Sequence, residues 1–426
     1  MRILQVVHQY PPEKIGGTEI YTQNLSRALR NRGHEVIVFR RGETSARRRL
    51  GMRLGSDGLK IYTLYDVTPS NPLLAFLSSY RNPFVDESFS EVLEEEVPDL
   101  VHFQHLKDLS GNLVTIAEER GLPIIVTLHD YWYICPNAQL VRPGGKTCRG
   151  TIFHLECTIC AGASLGQGIL TLFSPVLSLL FFHRDRYLRS KLAKVELFLS
   201  PSHFLKQRYV AQGFPEERIV PVENGVDVSR VIPRKERDGV SPIRFGYLGS
   251  IAWQKGVHLL IEAFNPLSEG AELMIYGDLS VFPGYVQGLR ELARNPAIHF
   301  RGYIPHQQVW QVLSEIDLLV VPSLWYENSP MVIREAFAAG VPVIASRIGA
   351  LAEKVRDGVD GLHFAAGDAG DLRSKMTSLI SNPDRLERLR GKIAPVKSIE
   401  ENALEMERIY LRLLNEKRVK GASRGV

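Results

Sequence analysis

Two carboxylates, Glu327 and Glu335, stand with seven residues between them in the stretch Trp325-Tyr326-Glu327-Asn328-Ser329-Pro330-Met331-Val332-Ile333-Arg334-Glu335-Ala336. The apolar run Leu318–Val321 just before it reads as a buried strand. Ser329 suits a helix N-cap, Pro330 suits the first helical position, and Gly340 supplies a stop. The amides of Met331 and Val332 would then face out of a helix N-terminus, where free donors and the macrodipole favour a phosphate. Glu327 would lie on the loop ahead of that anion site, with Glu335 roughly 7–8 Å along the helix axis at 1.5 Å per residue. Carboxylates flanking a phosphate site suit a nucleotide sugar, one facing the sugar and the other the ribose diol. Two glutamates at this spacing on an isolated helix would be an ordinary solvated face. The strand, loop and cap signals around them favour chemistry.

Other residues fall where ligands bind. Gly16-Gly17-Thr18-Glu19 lies between the strand Arg2–His8 and a helix over Thr18–Arg32 capped by Thr18. At the carboxyl edge of a parallel sheet, such a loop lets the backbone approach a phosphate closely. His129-Asp130 ends the β-branched run Ile124–Leu128 at the same edge. All four cysteines, Cys135, Cys148, Cys157 and Cys160, fall within 26 residues of a 426-residue chain. The Cys157-Thr158-Ile159-Cys160 spacing is that of a metal knuckle, and an all-cysteine zinc site would be structural because it leaves no open position. The other gaps are irregular, so reduced thiols, disulfides and an iron–sulfur centre remain alternatives.

The elements that must position these groups alternate between strand and helix. Arg2–His8, Glu35–Arg40, Leu100–Phe103, Ile124–His129, Val195–Leu199 and Ile219–Val222 read as strands of a first parallel sheet. The polar segment Arg234–Gly239 reads as a linker. A second series runs through Arg244–Leu248, Leu273–Tyr276, Ile298–Phe300, Leu318–Val321 and Val341–Ala345. Ser398-Ile399-Glu400-Glu401 is a capping box, and Ala403, Met406, Tyr410 and Leu413 form one stripe of the helix after it. The domains expected are residues 1–230, with a cysteine-rich insertion at 135–160, residues 231–400, and a C-terminal helix over 401–426.

Composition restricts the function class. With 44% hydrophobic and 23% charged residues the chain can build sizeable cores, and a net charge of +5 is too small to argue for nucleic acid. Its basic residues also lack interleaved aromatics. Arg40, Arg41, Arg47, Arg48, Arg49 and Arg53 crowd one expected loop; Arg184, Arg186, Arg189, Lys191 and Lys194 follow the apolar stretch Ile169–Phe182. Apolar then basic suits an anionic membrane surface, with Ile169, Leu172, Phe173, Val176, Leu180 and Phe181 on one side of a helix. A core helix with a solvated tail would look the same. The start of the chain reads as a strand instead of a signal peptide, so the expected location is cytoplasmic, peripheral on the inner face of the plasma membrane.

The two glutamates, the preceding strand with its Pro-Ser, and the sequel Ala338-Ala339-Gly340-Val341-Pro342-Val343-Ile344-Ala345 resemble the E-x7-E signature of retaining glycosyltransferases of the family-four type. Glu223-Asn224-Gly225-Val226-Asp227, Gly277-Asp278, Gly302 and Glu353 extend the resemblance, which is densest from Arg244 to Asp368. It implies the GT-B α/β fold: two Rossmann-like domains facing across a cleft, the C-terminal helix crossing back to the first. It also implies transfer of a sugar, with retention, from a nucleotide-diphosphate sugar to a saccharide or lipid-linked acceptor. By that resemblance His129 contacts the transferred sugar, Glu327 orients it, and Glu335 binds the ribose. Gly16, Gly17, Ser250, Lys255, Ser329, Met331 and Val332 hold the donor, with Lys255 neutralising the leaving diphosphate. No cofactor is implied for catalysis. Ser250 departs from the family's usual Arg, and Glu223 from its usual Pro. A nucleotide-sugar epimerase or hydrolase of the same fold, or a catalytically silent binding protein, is the alternative.

Overall fold

A computed structural model describes the chain apart from residues 14–15, 44, 46, 56, 67–68, 149, 151–153, 165–173, 234–241, 268–269 and 423–426. It forms two compact units. Unit 1 comprises Met1–Pro143, Cys148–Gly225 and Lys397–Val426; unit 2 comprises Gly144–Thr147 and Val226–Val396. The expected linker Arg234–Gly239 lies outside the described residues, as do Ile169, Leu172 and Phe173.

Unit 1 contains β1 (Arg2–Val7), β2 (Glu35–Arg41), β3 (Arg49–Leu54), β4 (Lys60–Tyr65), β5 (Leu100–Phe103), β6 (Ile124–Thr127), β7 (Leu197–Ser200) and β8 (Ile219–Pro221). They form one sheet in the order β3-β4-β2-β1-β5-β6-β7-β8, parallel except for the antiparallel edge strand β3. The register Leu4↔Ile37 and Leu4↔Val101 puts β1 near the centre, where runs such as Ile3-Leu4 and Val6-Val7 are fully buried. Burial on both faces is why these strands read as continuous apolar runs.

The helix Ile399–Ala422 belongs to this unit. Its capping box is closed: Ser398 N donates to Glu401 Oε2 at 2.7 Å and Glu401 N to Ser398 Oγ at 3.1 Å. Ala403, Met406, Tyr410 and Leu413 pack into one core cluster with Ile3, Leu25 and Ile125.

Two readings are corrected here. The arginines of segment 40–53 are not one loop, because Arg40 and Arg41 end β2 and Arg49 and Arg53 lie in β3. Arg40 is buried and held by Glu13, Thr63 Oγ1 and the Tyr10 carbonyl. The hairpin β3–β4 escaped the reading because the short alternation Leu50, Met52, Leu54 is set among Arg49, Gly51 and Arg53, and the outer strand stays largely exposed, with Met52 and Leu54 facing no core. The first helix spans Gly17–Asn31 with Gly16 at its N-cap, so Thr18 is inside the helix and caps nothing.

The sheet also buries titratable groups. His102 lies between Tyr410 Oη, 2.7 Å from Nδ1, and Thr127 Oγ1, 2.7 Å from Nε2. Burial pushes His102 down to about 3, and burial with the neighbouring His105 does the same to His129. Both therefore stay neutral in the native state while the unfolded chain protonates them below about pH 6.5. Their stability contribution is present above that pH and is lost as pH falls toward 3, by up to about 1.4 kcal/mol per histidine per pH unit. Denaturant titrations should show lower unfolding free energy at pH 5.5 than at pH 7. Equal values would contradict the burial of these rings.

Unit 2 contains β9 (Ile243–Leu248), β10 (Ala271–Tyr276), β11 (Ile298–Gly302), β12 (Leu318–Val321), β13 (Val343–Ser346) and β14 (Gly361–Phe364). They form a fully parallel sheet in the order β11-β10-β9-β12-β13-β14. The order reverses between β9 and β12, and ligands of such sheets bind at the carboxyl ends beside that switch point. Core clusters cover both faces, one with Phe245, Leu260 and Leu273, the other with Leu319, Ile333 and Val343. Two parallel, doubly wound Rossmann-like units make the architecture GT-B.

Candidate active site

The loops after β9 and β12 emerge side by side, since these strands pair directly, Leu318↔Phe245. After β9 the chain passes Gly249 and Ser250 into a short turn, Trp253–Lys255, and then the helix Val257–Phe264. Gly256 has φ +73°, and a Cβ there would lie 2.0 Å from the Pro322 carbonyl. Only glycine lets this turn seat against the end of β12, and that contact places Lys255.

After β12 come Pro322, Ser323, Leu324, Trp325, Tyr326 and Glu327. Glu327 is buried, and its Oε1 accepts from Lys255 Nζ at 2.7 Å, Ser323 Oγ at 2.7 Å and Trp325 Nε1 at 2.9 Å. The carboxylate expected at the sugar and the cation expected at the diphosphate thus form an ion pair in this structure.

The next helix spans Met331–Ala338, one residue later than expected. Pro330 occupies the N-cap, and the Ser329 hydroxyl is buried and accepts or donates nothing among the described residues. The correction follows from Pro330 taking ψ 116°, which is extended, not helical. With no side-chain cap, the first amides of the helix, those of Met331 and Val332, have no capping oxygen. Ala339 N reaches Glu335 O at 3.0 Å and Val341 N reaches Ala336 O at 2.8 Å; Gly340, at φ +70°, closes this end.

Glu335 is buried in that helix, with Oε1 3.2 Å from His306 Nε2. His306 follows β11, and nothing in the sequence flagged it. It lies 29 positions from Glu335, and only the sheet order brings the two elements together. Ser250 is exposed at the mouth of the β9 loop, its carbonyl accepting from Tyr247 Oη at 2.7 Å. Gly277, Asp278 and Gly302 end β10 and β11 at the same edge.

In unit 1, the carboxyl ends of β1, β5 and β6 gather a second set. Gly16 caps the first helix, where a Cβ would lie 2.5 Å from Glu19 Oε2. Glu19 is buried, with Oε1 3.3 Å from His8 Nε2, and burial raises its carboxyl pKa. His105 Nδ1 accepts from Lys107 N at 3.0 Å, so Nε2 carries the proton and donates to Asp130 Oδ2 at 3.0 Å. Burial acts to raise Asp130, but His105 and the Trp132 amide outweigh it and hold the carboxyl below its usual value. His129 Nε2 lies 2.7 Å from Gln104 Oε1, so it donates there as a neutral ring. His8 and His105 were not singled out from sequence, because neither stands in a motif with distinguishing spacing; Glu19 was read only as the last residue of the Gly16–Glu19 loop, whereas it lies in the first turn of the helix.

None of the four cysteines is in a disulfide, and all of them line one cavity of about 320 Å³ in unit 1, beside Trp132 and Arg184. Among the described residues no group of three or more His, Cys, Asp or Glu side chains is arranged to hold a metal ion. Burial pushes Cys157 up to about 12 and Cys160 to about 11, and neutral thiols gain nothing by converging. The basic run is corrected as well. Arg184 is buried, donating to the Trp132 carbonyl at 2.6 Å with its guanidinium over the indole, so it presents no charge to a surface. Lys191 and Lys194 are bound to Asn112 and Glu118; Arg186 is exposed. No helix among the described residues is long and apolar enough to cross a membrane.

The sequence pattern described as Glycosyltransferase Family 4 matches residues 15–230, more than half of the chain, and that described as Glycosyl transferases group 1 matches residues 242–382. The chain belongs to glycosyltransferase family 4. It is 30% identical over 408 residues to alpha-maltose-1-phosphate synthase of Mycolicibacterium smegmatis, covering 90% of this chain and 91% of that one. Over 192 residues it is 26% identical to the putative colanic acid biosynthesis glycosyltransferase WcaL of Escherichia coli, covering 43% of this chain and 47% of that one. Among solved structures, Anabaena HepE in complex with UDP and glucose shares the fold with a TM-score of 0.66 at 16% identity, covering 96% and 98% of the two chains.

Proposed function

We propose that this glycosyltransferase moves a hexose, with retention of anomeric configuration, from a nucleotide-diphosphate sugar to a saccharide acceptor, itself lipid-linked, in surface-polysaccharide assembly. The observation that carries the reading is the Lys255–Glu327 pair, 2.7 Å apart beside the uncapped helix start at Met331. A cation and free amides at one end of a buried carboxylate match a diphosphate leaving group next to a sugar that gains positive charge. Support for a role in polysaccharide assembly comes from the name of the colanic acid biosynthesis relative, and support for the donor from the UDP and glucose held by the Anabaena protein.

In this account the donor diphosphate takes Lys255 and the Met331 and Val332 amides, which neutralise it without a metal ion. Glu327 faces the developing oxocarbenium charge and Glu335 the ribose hydroxyls. The acceptor approaches on the same sugar face as the departing phosphate, which takes the acceptor proton. His129, neutral throughout the physiological range, contacts the transferred sugar as a hydrogen-bonding group and carries no charge. Incubating the chain with UDP-glucose, ADP-glucose and GDP-mannose, with and without saccharide acceptors, tests the reading. Acceptor-dependent release of nucleoside diphosphate supports it, whereas release or epimerisation equal in both arms points to the hydrolase or epimerase alternative. No turnover of any donor in the presence of bound nucleotide would leave the binding protein.

We also propose, from the spacing of Cys135, Cys148, Cys157 and Cys160 and their shared cavity, a structural zinc. Its binding would have to draw the four sulfurs together and release their protons. Protein purified under reducing conditions without chelator should hold about one zinc per chain by elemental analysis. A metal-free protein with four titratable thiols would remove this proposal.

A further inference from the structure

All three donors to Glu327 converge on the same oxygen. Lys255 Nζ, Ser323 Oγ and Trp325 Nε1 lie 2.7, 2.7 and 2.9 Å from Oε1, and Oε2 accepts no hydrogen bond among the described residues. One oxygen is saturated and the other is left for a ligand. Trp325 does more than donate. The Lys255 ammonium stands over its ring, 5.2 Å from the centroid. A cation at that distance is attracted by the negative face of the indole. The indole therefore holds the carboxylate by its edge and the ammonium by its face.

We propose that Trp325 is the positioning residue of the transfer site, fixing Glu327 through Oε1 so that Oε2 meets the donor sugar, and seating Lys255 toward the diphosphate. This rests on the transfer reading above and adds a residue to it. It also states what donor binding must do: the diphosphate competes with Glu327 for Lys255, and the Trp325 and Ser323 bonds keep the carboxylate in place while the ammonium is shared. Without them, loss of the lysine contact would leave a buried carboxylate free to turn.

Two substitutions separate the two roles. Trp325→Phe removes the N–H and keeps an aromatic face; Trp325→Leu removes both. The substrate is whichever of UDP-glucose, ADP-glucose and GDP-mannose the wild type turns over fastest. Losing one donor to a charged group should lower kcat about tenfold or more in Trp325→Phe, with donor KM within about twofold. Trp325→Leu should show that kcat loss and also raise donor KM, by about threefold or more, because the Lys255 seat is gone. Ser323→Ala, a smaller change, should lower kcat alone and guards against misfolding of the tryptophan variants. Wild-type kcat in Trp325→Phe, or parallel changes of kcat and KM in both tryptophan variants, would overturn the assignment. A wild type that turns over none of the donors would instead count against the transfer reading, so the two failures are distinguishable.

Discussion

Glu327→Gln is expected to lower kcat by about 10²–10³-fold with donor affinity nearly unchanged, because it removes charge aimed at the developing oxocarbenium while keeping the side chain's shape. The amide oxygen can still accept from Ser323 and Trp325, which lie 2.7 and 2.9 Å from Oε1 in the native site. The variant should therefore fold, and its thermal transition should stay close to that of the wild type. Calorimetry with the donor and steady-state kinetics with a fixed acceptor separate the two quantities. A kcat within threefold of the wild type would show that Glu327 does not face the reacting carbon.

The second large effect is at Lys255. Charge-assisted contacts to phosphate are roughly twice as strong as neutral ones. Lys255→Ala should consequently lower kcat/KM by about 10²-fold or more, whereas Ser250→Ala should cost less than about tenfold. The structure sharpens the ranking, since Lys255 is half-buried against Glu327 and Ser250 is exposed at the loop mouth. Truncating the lysine also strips one of three donors from a buried carboxylate, which adds to the loss. Kinetics on both variants with one donor decide this. Equal losses would mean that the diphosphate is neutralised elsewhere.

Much of the fold was legible because it rests on local signals. Runs such as Leu318–Val321 and Ile124–Thr127 are buried on both faces and carry no polar residue except Thr127, so they read as strands without any partner in view. The capping box at Ser398 is a local device, and it closes as its residues suggest. Where polar side chains dominate, the reading failed. The exposed strand β3 carries a short apolar period, Leu50, Met52 and Leu54, but the arginines within and before it made the segment look like a loop. Arg40 is the sharper case, because a buried guanidinium is defined by partners such as Glu13 that no spacing reveals.

The candidate site divides in the same way. Glu327, Glu335 and Lys255 were marked by the strand–loop–helix pattern around them. Their partners were not. Ser323 and Trp325 lie within four residues of Glu327, yet that they bond the same oxygen is a matter of loop geometry. His306 reaches Glu335 only because β11 and β12 are brought to one sheet edge. His8, His105 and Asp130 follow the ends of three different strands and meet Glu19 from the first turn of the helix Gly17–Asn31, and such clusters become visible only after folding. Ser329 shows a limit of propensity: an extended Pro330 shifts the helix start and leaves the serine hydroxyl uncapped.

The central claim is transfer with retention from a nucleotide sugar, and proton NMR of the product at the anomeric position tests it most directly. With an α-linked donor such as UDP-glucose, ADP-glucose or GDP-mannose, early time points should show a new α-linkage on the acceptor together with free nucleoside diphosphate. A β-linked product, or diphosphate release that never yields a glycosylated acceptor, would contradict the account.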